Sequence, residues 1–518
     1  MPTRMDSRRA ALWLIAFTTL LRLIWAAVLE TSNDESYHWL YTVYPALSFF
    51  DHPPMTMLLV KAGLLLCGGW VHPFSIRLAF VLLFAGSQWI LYRWTDRWYG
   101  GQAALAALLA LNLSGYYTAF AGTFALPDGP FLFFALLTYW QLCEALVRPA
   151  ESRWAWLWVG LGFAGAMLSK YHAIFLPAGA VLYILITPGQ RRVLRTPGPY
   201  LATLLGFLGF LPVLIWNIDH DWASFKFQGG RAKSDPLSPT PLFHEGPIKW
   251  FVGPILYLLP WIWFWLAVEL VRCVRHLGRL EPIHRLLFCL CITPLLFFLV
   301  VSLRSRDVLL HWPLVGFVPM YLLVGVNWIR LKDKYPKTGR AFLIFWVVSL
   351  VALLGFIFAQ ARLGVLSFPP PAKDPAADLS GWESVGDEIR ARGWLEEDNV
   401  FFFTNRWYDS GQLAFAIRGK RPTTCYNSLD ARGFAFWSHP YDYLGRTGYF
   451  VVADEPSEKI IRPEFERFFE RIEKPVEFPM TRSGKPFRIV RVYKCVNQIK
   501  PYPVSYTVMP RDWEPSPP

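Results

Sequence analysis

Two acidic clusters lie near the start of the sequence, at the two ends of one short polar stretch. The first is Asp34-Glu35, and the second is Asp51-His52, which Pro53-Pro54 follows at once. A carboxylate held beside an apolar environment can take a proton from a hydroxyl group, which is the task of a general base. The two prolines restrict the direction of the chain, because each ring locks its own φ angle. The stretch therefore has the residue types that acid–base chemistry needs.

A third acidic residue, Asp128, lies in the turn-forming sequence Leu126-Pro127-Asp128-Gly129-Pro130. Each acidic site also has an ordinary structural interpretation. Asp34 and Asp51 could each cap a helix, and Asp128 could be a simple turn residue. All three fall at ends of apolar segments on one side of the topology predicted below, and this shared position favours a common site.

Cationic, aromatic and imidazole side chains near the same segment ends are candidates for binding an anionic substrate. Lys170 could instead be a snorkelling lysine, and Arg306 with His311 could anchor the chain at a membrane interface. The aromatic side chains could form an interfacial belt. The candidate substrate-binding residues are Tyr37, His38, Asp51, His52, Lys170, Arg231, Arg306 and His311.

The composition is that of an integral membrane protein. Hydrophobic residues make up 54% of the 518 residues and charged residues only 17%, and the mean hydropathy is +0.30. Such a chain is too apolar for one water-soluble core. The net charge of +13 comes from Lys and Arg at the ends of apolar segments. That pattern is typical of membrane orientation and does not indicate a nucleic-acid partner.

Apolar segments of nearly membrane-spanning length predict an α-helical polytopic protein with about 11 transmembrane helices. Alternating them from a cytoplasmic start places five successive basic clusters inside and the three acidic sites outside, as the positive-inside rule requires. A further apolar run, 55–71, follows the di-proline and is predicted to lie at the outer interface. The predicted spans are 10–29, 74–92, 102–120, 129–146, 154–169, 173–186, 200–216, 250–271, 285–303, 309–328 and 341–360.

The composition changes to that of a soluble domain after the last apolar segment. A stiff linker, Phe368-Pro369-Pro370-Pro371, precedes a stretch with helical spacing at 382–389 and short strand patterns at 400–403, 449–453 and 487–493. We therefore predict a transmembrane catalytic domain in residues 1–360, and a linker with an extracytoplasmic α/β domain in residues 361–518. The sequence allows a disulfide between Cys425 and Cys495 but does not specify it.

The order of these motifs is similar to that of the protein O-mannosyltransferase superfamily and its bacterial relatives that decorate lipid A. The motifs on which this resemblance rests are the loop with Asp34-Glu35, the sequence Asp51-His52-Pro53-Pro54 and the sequence Pro127-Asp128-Gly129-Pro130. The resemblance implies a GT-C fold, a polyprenyl-phosphate sugar donor and sugar transfer on the outer face of the bacterial cytoplasmic membrane. It also implies that Asp34 is the catalytic base. From the chemistry of such a transfer we expect Glu35 and Asp128 to orient the acceptor or sugar hydroxyl groups.

The sequence also departs from these relatives. The lipid A aminoarabinose transferases have a lysine where this chain has His52, and an arginine near the position of Tyr37-His38. The donor-phosphate contacts of that branch, and aminoarabinose as the sugar, therefore do not carry over.

We predict an inverting membrane glycosyltransferase that moves a sugar from polyprenyl phosphate to an envelope lipid, glycan or protein. Displacing a single phosphate does not require a divalent metal, although Asp51 with a histidine could hold one. An enzyme using a diphosphate-linked oligosaccharide would favour more outer arginines. A secondary transporter or lipid flippase is the alternative from another class. Transporters typically carry charges near the membrane midplane, whereas these acids lie at outer segment ends. The sugar, the acceptor and the oligomeric state stay open.

Overall fold

A computed structural model describes residues 4–151, 153–231, 244–306, 308–366, 374, 376–453 and 464–504. Up to residue 366 the described chain is mainly α-helical, and from residue 376 onward it surrounds a β-sheet. The helices of the first part are α1 (Arg4–Val28), α2 (Asn33–Val43), α3 (Met55–Leu66), α4 (Pro73–Tyr99), α5 (Gly101–Asn112), α6 (Gly115–Ala119), α7 (Asp128–Val147), α8 (Ala155–Ser169), α9 (Phe175–Ile186), α10 (Gly198–Asp219), α11 (Ala223–Arg231), α12 (Glu245–Leu258), α13 (Pro260–Arg275), α14 (Pro282–Ser302), α15 (Tyr321–Lys334) and α16 (Pro336–Leu363).

Among the described residues, seven helical segments are long and apolar enough to cross a membrane, or eight if one bent pair counts as a single span. They are Asp6–Val28, Pro73–Tyr99, Asp128–Val147, Gly198–Asp219, Pro282–Ser302, Trp312–Lys334 and Pro336–Leu363. Each coincides with a predicted span. Three other predicted spans fall on the shorter apolar helices Gly101–Asn112, Ala155–Ser169 and Tyr171–Ile186. The chain is therefore a multi-pass membrane protein.

The predicted span 250–271 is broken in the structure, because α12 and α13 meet at an angle of 118°. The bend lies at Leu259, whose φ of +73° is incompatible with a continuous right-handed helix. Pro260 follows and begins α13, where its missing N–H costs nothing. This bend places Tyr257, near the end of α12, beside the aromatic ring of Tyr116.

Small residues let the helices of the first part pack closely, as is usual between membrane helices. A Cβ at Gly325 of α15 would lie 2.3 Å from the backbone oxygen of Ala103 on α5, so only glycine fits there. The interior between the helices is filled by buried aromatic and aliphatic side chains such as Leu136 and Tyr321. This packing provides a rigid support for the helix ends that carry polar groups.

The second part contains a mixed sheet. Its strands are β1 (Val400–Thr404), β2 (Thr423–Cys425), β3 (Thr447–Ala453), β4 (Phe469–Ile472), β5 (Val476–Arg482) and β6 (Lys485–Gln498), and its helices are α17 (Trp382–Ala391), α18 (Trp407–Ala416) and α19 (Phe434–Trp437). The strand order is β2-β1-β3-β6-β4, with β5 also paired to β6. β1 runs parallel to β2 and β3, whereas β6 is antiparallel to β3, β4 and β5.

Both faces of this sheet are buried, which explains the uninterrupted apolar sequence of β1. Phe402 packs with Val385 and Ile389 of α17 on one face, and Phe401 and Phe403 pack on the other. The predicted α/β character of the C-terminal part is confirmed. Cys425 and Cys495 are both free and buried. They belong to β2 and β6, which do not neighbour each other in the sheet.

Helix α2 joins the two parts of the molecule. Its Trp39 ring meets Phe415 of α18 edge to face, with centroids 5.3 Å apart. A Cβ at Gly411 of α18 would lie only 3.0 Å from the backbone nitrogen of Tyr37. The Gln412 amide donates a hydrogen bond of 2.9 Å to the backbone oxygen of Thr31. The sheet part is therefore packed directly against the helix that carries Asp34.

Candidate active site

A cavity of about 330 Å³ lies between the helical part and the sheet part. This volume lies within the range of small-ligand sites, about 300–1,000 Å³. Seven residues singled out in the sequence line it: Asp34, His38, Asp51, His52, Asp128, Lys170 and His311. The structure thus brings Asp128 into one cavity with Asp34 and Asp51, which lie in a polar stretch much earlier in the chain.

Asp34 lies in the first turn of α2 and faces the cavity. Within the ranges that the structure describes, no group makes a hydrogen bond or an ion pair with its carboxylate. Asp34 faces the cavity, but the surrounding protein desolvates its carboxylate and raises its pKa; the negative charges of Asp51 and Asp128 add to this, while His38 and Arg432 partly offset it. An accessible carboxylate with a raised pKa and no fixed partner is suited to accept a proton.

Asp51 is held firmly by groups around it. Its carboxylate accepts hydrogen bonds from the hydroxyls of Tyr37 at 3.0 Å and Tyr41 at 2.9 Å, and it pairs with the Arg432 guanidinium at 3.1 Å. Burial opposes its charge, but the Arg432 guanidinium outweighs burial, so the pKa of Asp51 is lowered. Asp51 therefore stays ionised and fixed in position.

Arg432 comes from the sheet part, just before α19. Its guanidinium lies between the rings of Trp407 and Phe227, 4.5 and 4.8 Å from their centroids, and it also contacts Asp430 at 2.9 Å. Its backbone has a φ of +51°, which is strained for a residue with a side chain. Such strain costs on the order of 1–3 kcal/mol and persists where the surroundings impose it. Despite this cost, the structure holds the Arg432 guanidinium at the cavity wall.

Asp128 is the first residue of α7 and is also paired. The Lys170 amine lies 2.7 Å from its Oδ1, and the Tyr116 hydroxyl donates a hydrogen bond to the same oxygen. The Lys170 side chain is 8% exposed, so this amine is fixed within the wall of the cavity. Lys170 and Arg432 are thus each held by an aspartate.

Histidines form much of the remaining polar wall. The His38 Nδ1 atom lies 2.9 Å from the backbone oxygen of Ala125. In the described part of the chain, His52 Nδ1 and His172 Nε2 are buried without a hydrogen-bond partner. Burial lowers the pKa of His52 to about 3, so its imidazole is neutral at physiological pH. These two nitrogens are therefore available to a bound polar ligand.

Glu35 does not line the cavity, contrary to expectation. Its carboxylate is fully enclosed and is bound by Arg77 through two contacts of 2.6 Å. The backbone N–H groups of Ser32 and Ala125 each donate to it at 2.9 Å. Burial opposes its charge but Arg77 outweighs it, so the pKa of Glu35 is lowered. Glu35 ties α2 to α4 and to the segment before Asp128, and it has no access to a substrate hydroxyl.

Two other expected substrate-binding residues, Tyr37 and Arg306, are also absent from the cavity lining. Tyr37 is only 1% exposed and points to Asp51 and to the Gly433 N–H, at 2.8 Å. Arg306 is exposed outside the cavity, where its backbone oxygen accepts a hydrogen bond from Lys249. Arg231 ends α11, and its side chain lies outside the described residues.

The structure adds several cavity residues that sequence reasoning missed: Tyr116, His172, Gln228, Tyr257, Trp407 and Arg432. Arg432 and Trp407 could not be found from motifs near Asp34, because they follow it by several hundred residues in a part with a soluble composition. Gln228 binds the backbone oxygen of Asp51 at 2.9 Å. His172 lies two residues after Lys170 in the sequence, and this closeness was an available signal.

No group of three or more His, Cys, Asp or Glu residues is arranged to hold a metal ion in the portion that the structure describes. The carboxylate oxygens of Asp51 are already engaged by Tyr37, Tyr41 and Arg432. The donor set around Asp51 is therefore that of an ion pair.

Residues 51–216 match the family model described as dolichyl-phosphate-mannose-protein mannosyltransferase. Over 364 residues the chain is 25% identical to the lipid A galacturonosyltransferase RgtD of Rhizobium johnstonii, covering 69% of this chain and 73% of the relative. Over 334 residues it is 26% identical to undecaprenyl phosphate-alpha-4-amino-4-deoxy-L-arabinose arabinosyl transferase 1 of Sodalis glossinidius, covering 61% of this chain and 57% of the relative.

The fold is similar to that of a protein of known structure. The crystal structure of ArnT from Cupriavidus metallidurans bound to undecaprenyl phosphate superposes with a TM-score of 0.62 at 15% identity, covering 93% of this chain and 97% of that one. Its apo state gives a TM-score of 0.63. The likeness extends over the helical part and the sheet part together.

Proposed function

We propose that this chain moves a sugar from a polyprenyl-phosphate donor to an envelope acceptor. The chain belongs to the GT-C superfamily of membrane glycosyltransferases and is related to the aminoarabinose transferases. The reaction inverts the configuration at the sugar, and Asp34 is its general base. The observation that carries this proposal is the different state of the cavity's three aspartates. Asp51 and Asp128 are ion-paired, whereas Asp34 has no such partner in the described chain.

The proposed reaction is a single displacement at the sugar C1 atom. Asp34 takes the proton from the acceptor hydroxyl, and the acceptor oxygen forms a bond to C1 from the face opposite the phosphate. The bond between C1 and the phosphate oxygen breaks, and polyprenyl phosphate leaves with the electron pair. Its raised pKa keeps Asp34 a strong enough base for this proton transfer.

The leaving phosphate needs positive charge and hydrogen-bond donors. Lys170 and Arg432 line the cavity, and each is already paired with an aspartate, so the phosphate would share these cations with Asp128 and Asp51. His52 and His172 have unpartnered buried nitrogens on the same cavity and supply neutral donors. This arrangement binds a monophosphate without a required metal.

The names of the relatives suggest which substrates to test first. RgtD acts on lipid A, and the structurally similar ArnT binds undecaprenyl phosphate. We take undecaprenyl-phosphate sugars as donors and lipid A as the first acceptor. Residues 1–360 would form the catalytic transmembrane domain and residues 361–518 the linker and extracytoplasmic domain, with the active site on the outer face of the bacterial cytoplasmic membrane.

The experiment uses the purified chain in lipid nanodiscs with a panel of radiolabelled undecaprenyl-phosphate sugars and an envelope extract that contains lipid A. Asp34→Asn should lower transfer by about 100- to 10,000-fold, the usual contribution of a general base. The matched control is Asp398→Asn, which removes an exposed carboxylate outside the cavity and should leave transfer unchanged.

Donor binding to Asp34→Asn is measured separately, so that a loss of chemistry can be told from a loss of binding. Full transfer by Asp34→Asn would remove Asp34 from the mechanism. Label that crosses a sealed vesicle without forming a new glycoside would instead identify a transporter or flippase.

A further inference from the structure

A second cavity, of about 150 Å³, lies between α13, α14 and α15. α13 begins next to Tyr257 of the first cavity, and Arg272 follows its first residue by twelve positions. At 1.5 Å per residue this distance along the helix is roughly 18 Å. The second cavity is therefore at the other end of the helices, the end that the distribution of basic residues predicts to be cytoplasmic.

The mouth of this cavity is positively charged. Arg272 and Arg330 line it together with His276, and Glu269 is the acidic residue among its lining side chains. Glu269 is buried and paired with Arg272 at 2.8 Å, so its charge is neutralised within the wall. In the described part of the chain, Arg330 donates a hydrogen bond of 3.2 Å to the neutral Asn327 amide oxygen. The cavity lining therefore carries two guanidinium groups, Arg272 and Arg330, against the single carboxylate of Glu269.

The inner wall and the surroundings of this cavity are apolar. Leu323 and Val326 line its interior. On α13 the neighbouring side chains of Val271 and Val274 are 47% and 56% exposed, which is expected of a helix face in contact with lipid. A ligand that reaches this site from the membrane therefore meets apolar walls and a cationic rim together.

We infer that this cavity binds the headgroup of an anionic phospholipid, with the phosphate at Arg330 and the adjoining acyl chain along α13. Basic pockets between membrane helices on the cytoplasmic side are suited to such headgroups. A free phosphate ion fits the charge but gains nothing from the apolar wall and the exposed valines. The site is separate from the proposed transferase site and does not depend on that function.

The test measures how phosphatidylglycerol, titrated into phosphatidylcholine nanodiscs, raises the thermal unfolding midpoint of the full chain. Arg330→Gln leaves the Glu269–Arg272 pair intact and should require on the order of fivefold more phosphatidylglycerol for half the effect. Val326→Phe fills the cavity without changing charge and should abolish the effect. Arg340→Gln removes an exposed arginine near the start of α16, at the same predicted cytoplasmic end of the helices, and should change nothing.

Equal losses in Arg330→Gln and Arg340→Gln would mean that surface charge alone attracts the lipid, and would overturn the inference. A full effect in Val326→Phe would overturn it as well. The same rise of the midpoint on adding millimolar inorganic phosphate would show that the ligand is a free anion and not a lipid.

Discussion

The Arg432 guanidinium lies 3.1 Å from the Asp51 carboxylate, although 381 residues separate them in the chain. Asp51 follows the first polar loop of the helical part, and Arg432 belongs to the sheet part. The wall of the candidate active site is therefore completed only when the two parts pack together. This contact makes the C-terminal part a component of the site itself.

We predict that Arg432→Gln lowers transferase activity by about 100-fold, because Asp51 loses its counter-ion and the cavity wall shifts. Arg432 also holds the pKa of Asp34 down. The loss of activity at acidic pH should therefore move to higher pH in Arg432→Gln. The measurement is a pH profile of initial rates for wild type and variant.

Two variants control for this result. Arg432→Lys retains a positive charge and should restore part of the activity and much of the pH profile. Lys420→Gln removes an exposed cation of the same part and should leave both unchanged. A normal pH profile in Arg432→Gln would contradict the proposed link between Arg432 and Asp34.

The Glu35–Arg77 pair should be structural. Because both side chains are fully enclosed, removing one charge leaves the other buried without a partner. Glu35→Gln should lower the free energy of unfolding by about 3–5 kcal/mol. The measurement is thermal or denaturant unfolding in detergent.

The double variant Glu35→Gln/Arg77→Gln should be less destabilised than the sum of the two single variants, since neither charge is then stranded. Strict additivity would contradict a direct pair. Unchanged stability of Glu35→Gln together with lost transfer would instead support the catalytic role that the sequence suggested.

Removing the charge of Asp34 should stabilise the fold, whereas removing the charge of Glu35 should destabilise it, because the pKa of Asp34 is raised in the folded state. Between its ordinary pKa and this raised value the folded chain binds more protons than the unfolded chain, so stability falls as the pH rises. At neutral pH the charged Asp34 therefore costs stability. Asp34→Asn should raise the unfolding midpoint at neutral pH and lose this gain below the ordinary aspartate range.

The protonation of Asp34 also predicts how the activity of the wild type depends on pH. A general base must be ionised, so transfer should decline as the pH falls through the raised pKa of Asp34, above the range of an ordinary aspartate. Lower stability of Asp34→Asn at neutral pH would contradict the inferred desolvation of this carboxylate.

Much of this fold could be predicted from the sequence, because its strongest signals are local. Long apolar runs identify the spans, and β1 is recognisable from Val400-Phe401-Phe402-Phe403. The bend at Leu259 was not predicted, although Pro260 was an available signal, because a proline inside an apolar helical run ends or kinks the helix at the preceding residue.

Only part of the site could be predicted, because local motifs indicate some of its residues and tertiary contacts bring in the others. Asp34, Asp51 and Asp128 belong to recognisable local motifs, and all three line the cavity. Glu35 adjoins Asp34 in the sequence, but on a helix adjacent residues point in different directions. Only the tertiary structure shows that Arg77 encloses Glu35, and that Arg432 reaches Asp51.

The packing of α18 on α2 provides the last prediction. A Cβ at Gly411 would lie 3.0 Å from the backbone nitrogen and 3.1 Å from the Cα of Tyr37, and backbone atoms cannot move aside as a flexible side chain can. Gly411→Leu should therefore push the sheet part away from α2 and cost about 1–3 kcal/mol of stability. Because Trp407 and Arg432 would withdraw with the sheet part, donor affinity should also fall.

Unfolding and binding of a radiolabelled undecaprenyl-phosphate sugar measure these two effects. Gly278→Leu is the control, because no atom of the described residues lies within 4 Å of its Cβ position and its backbone needs no positive φ. It should change neither stability nor binding. If Gly411→Leu lowers stability but binds the donor normally, the sheet part does not form the donor site, and Arg432 acts only as a structural contact.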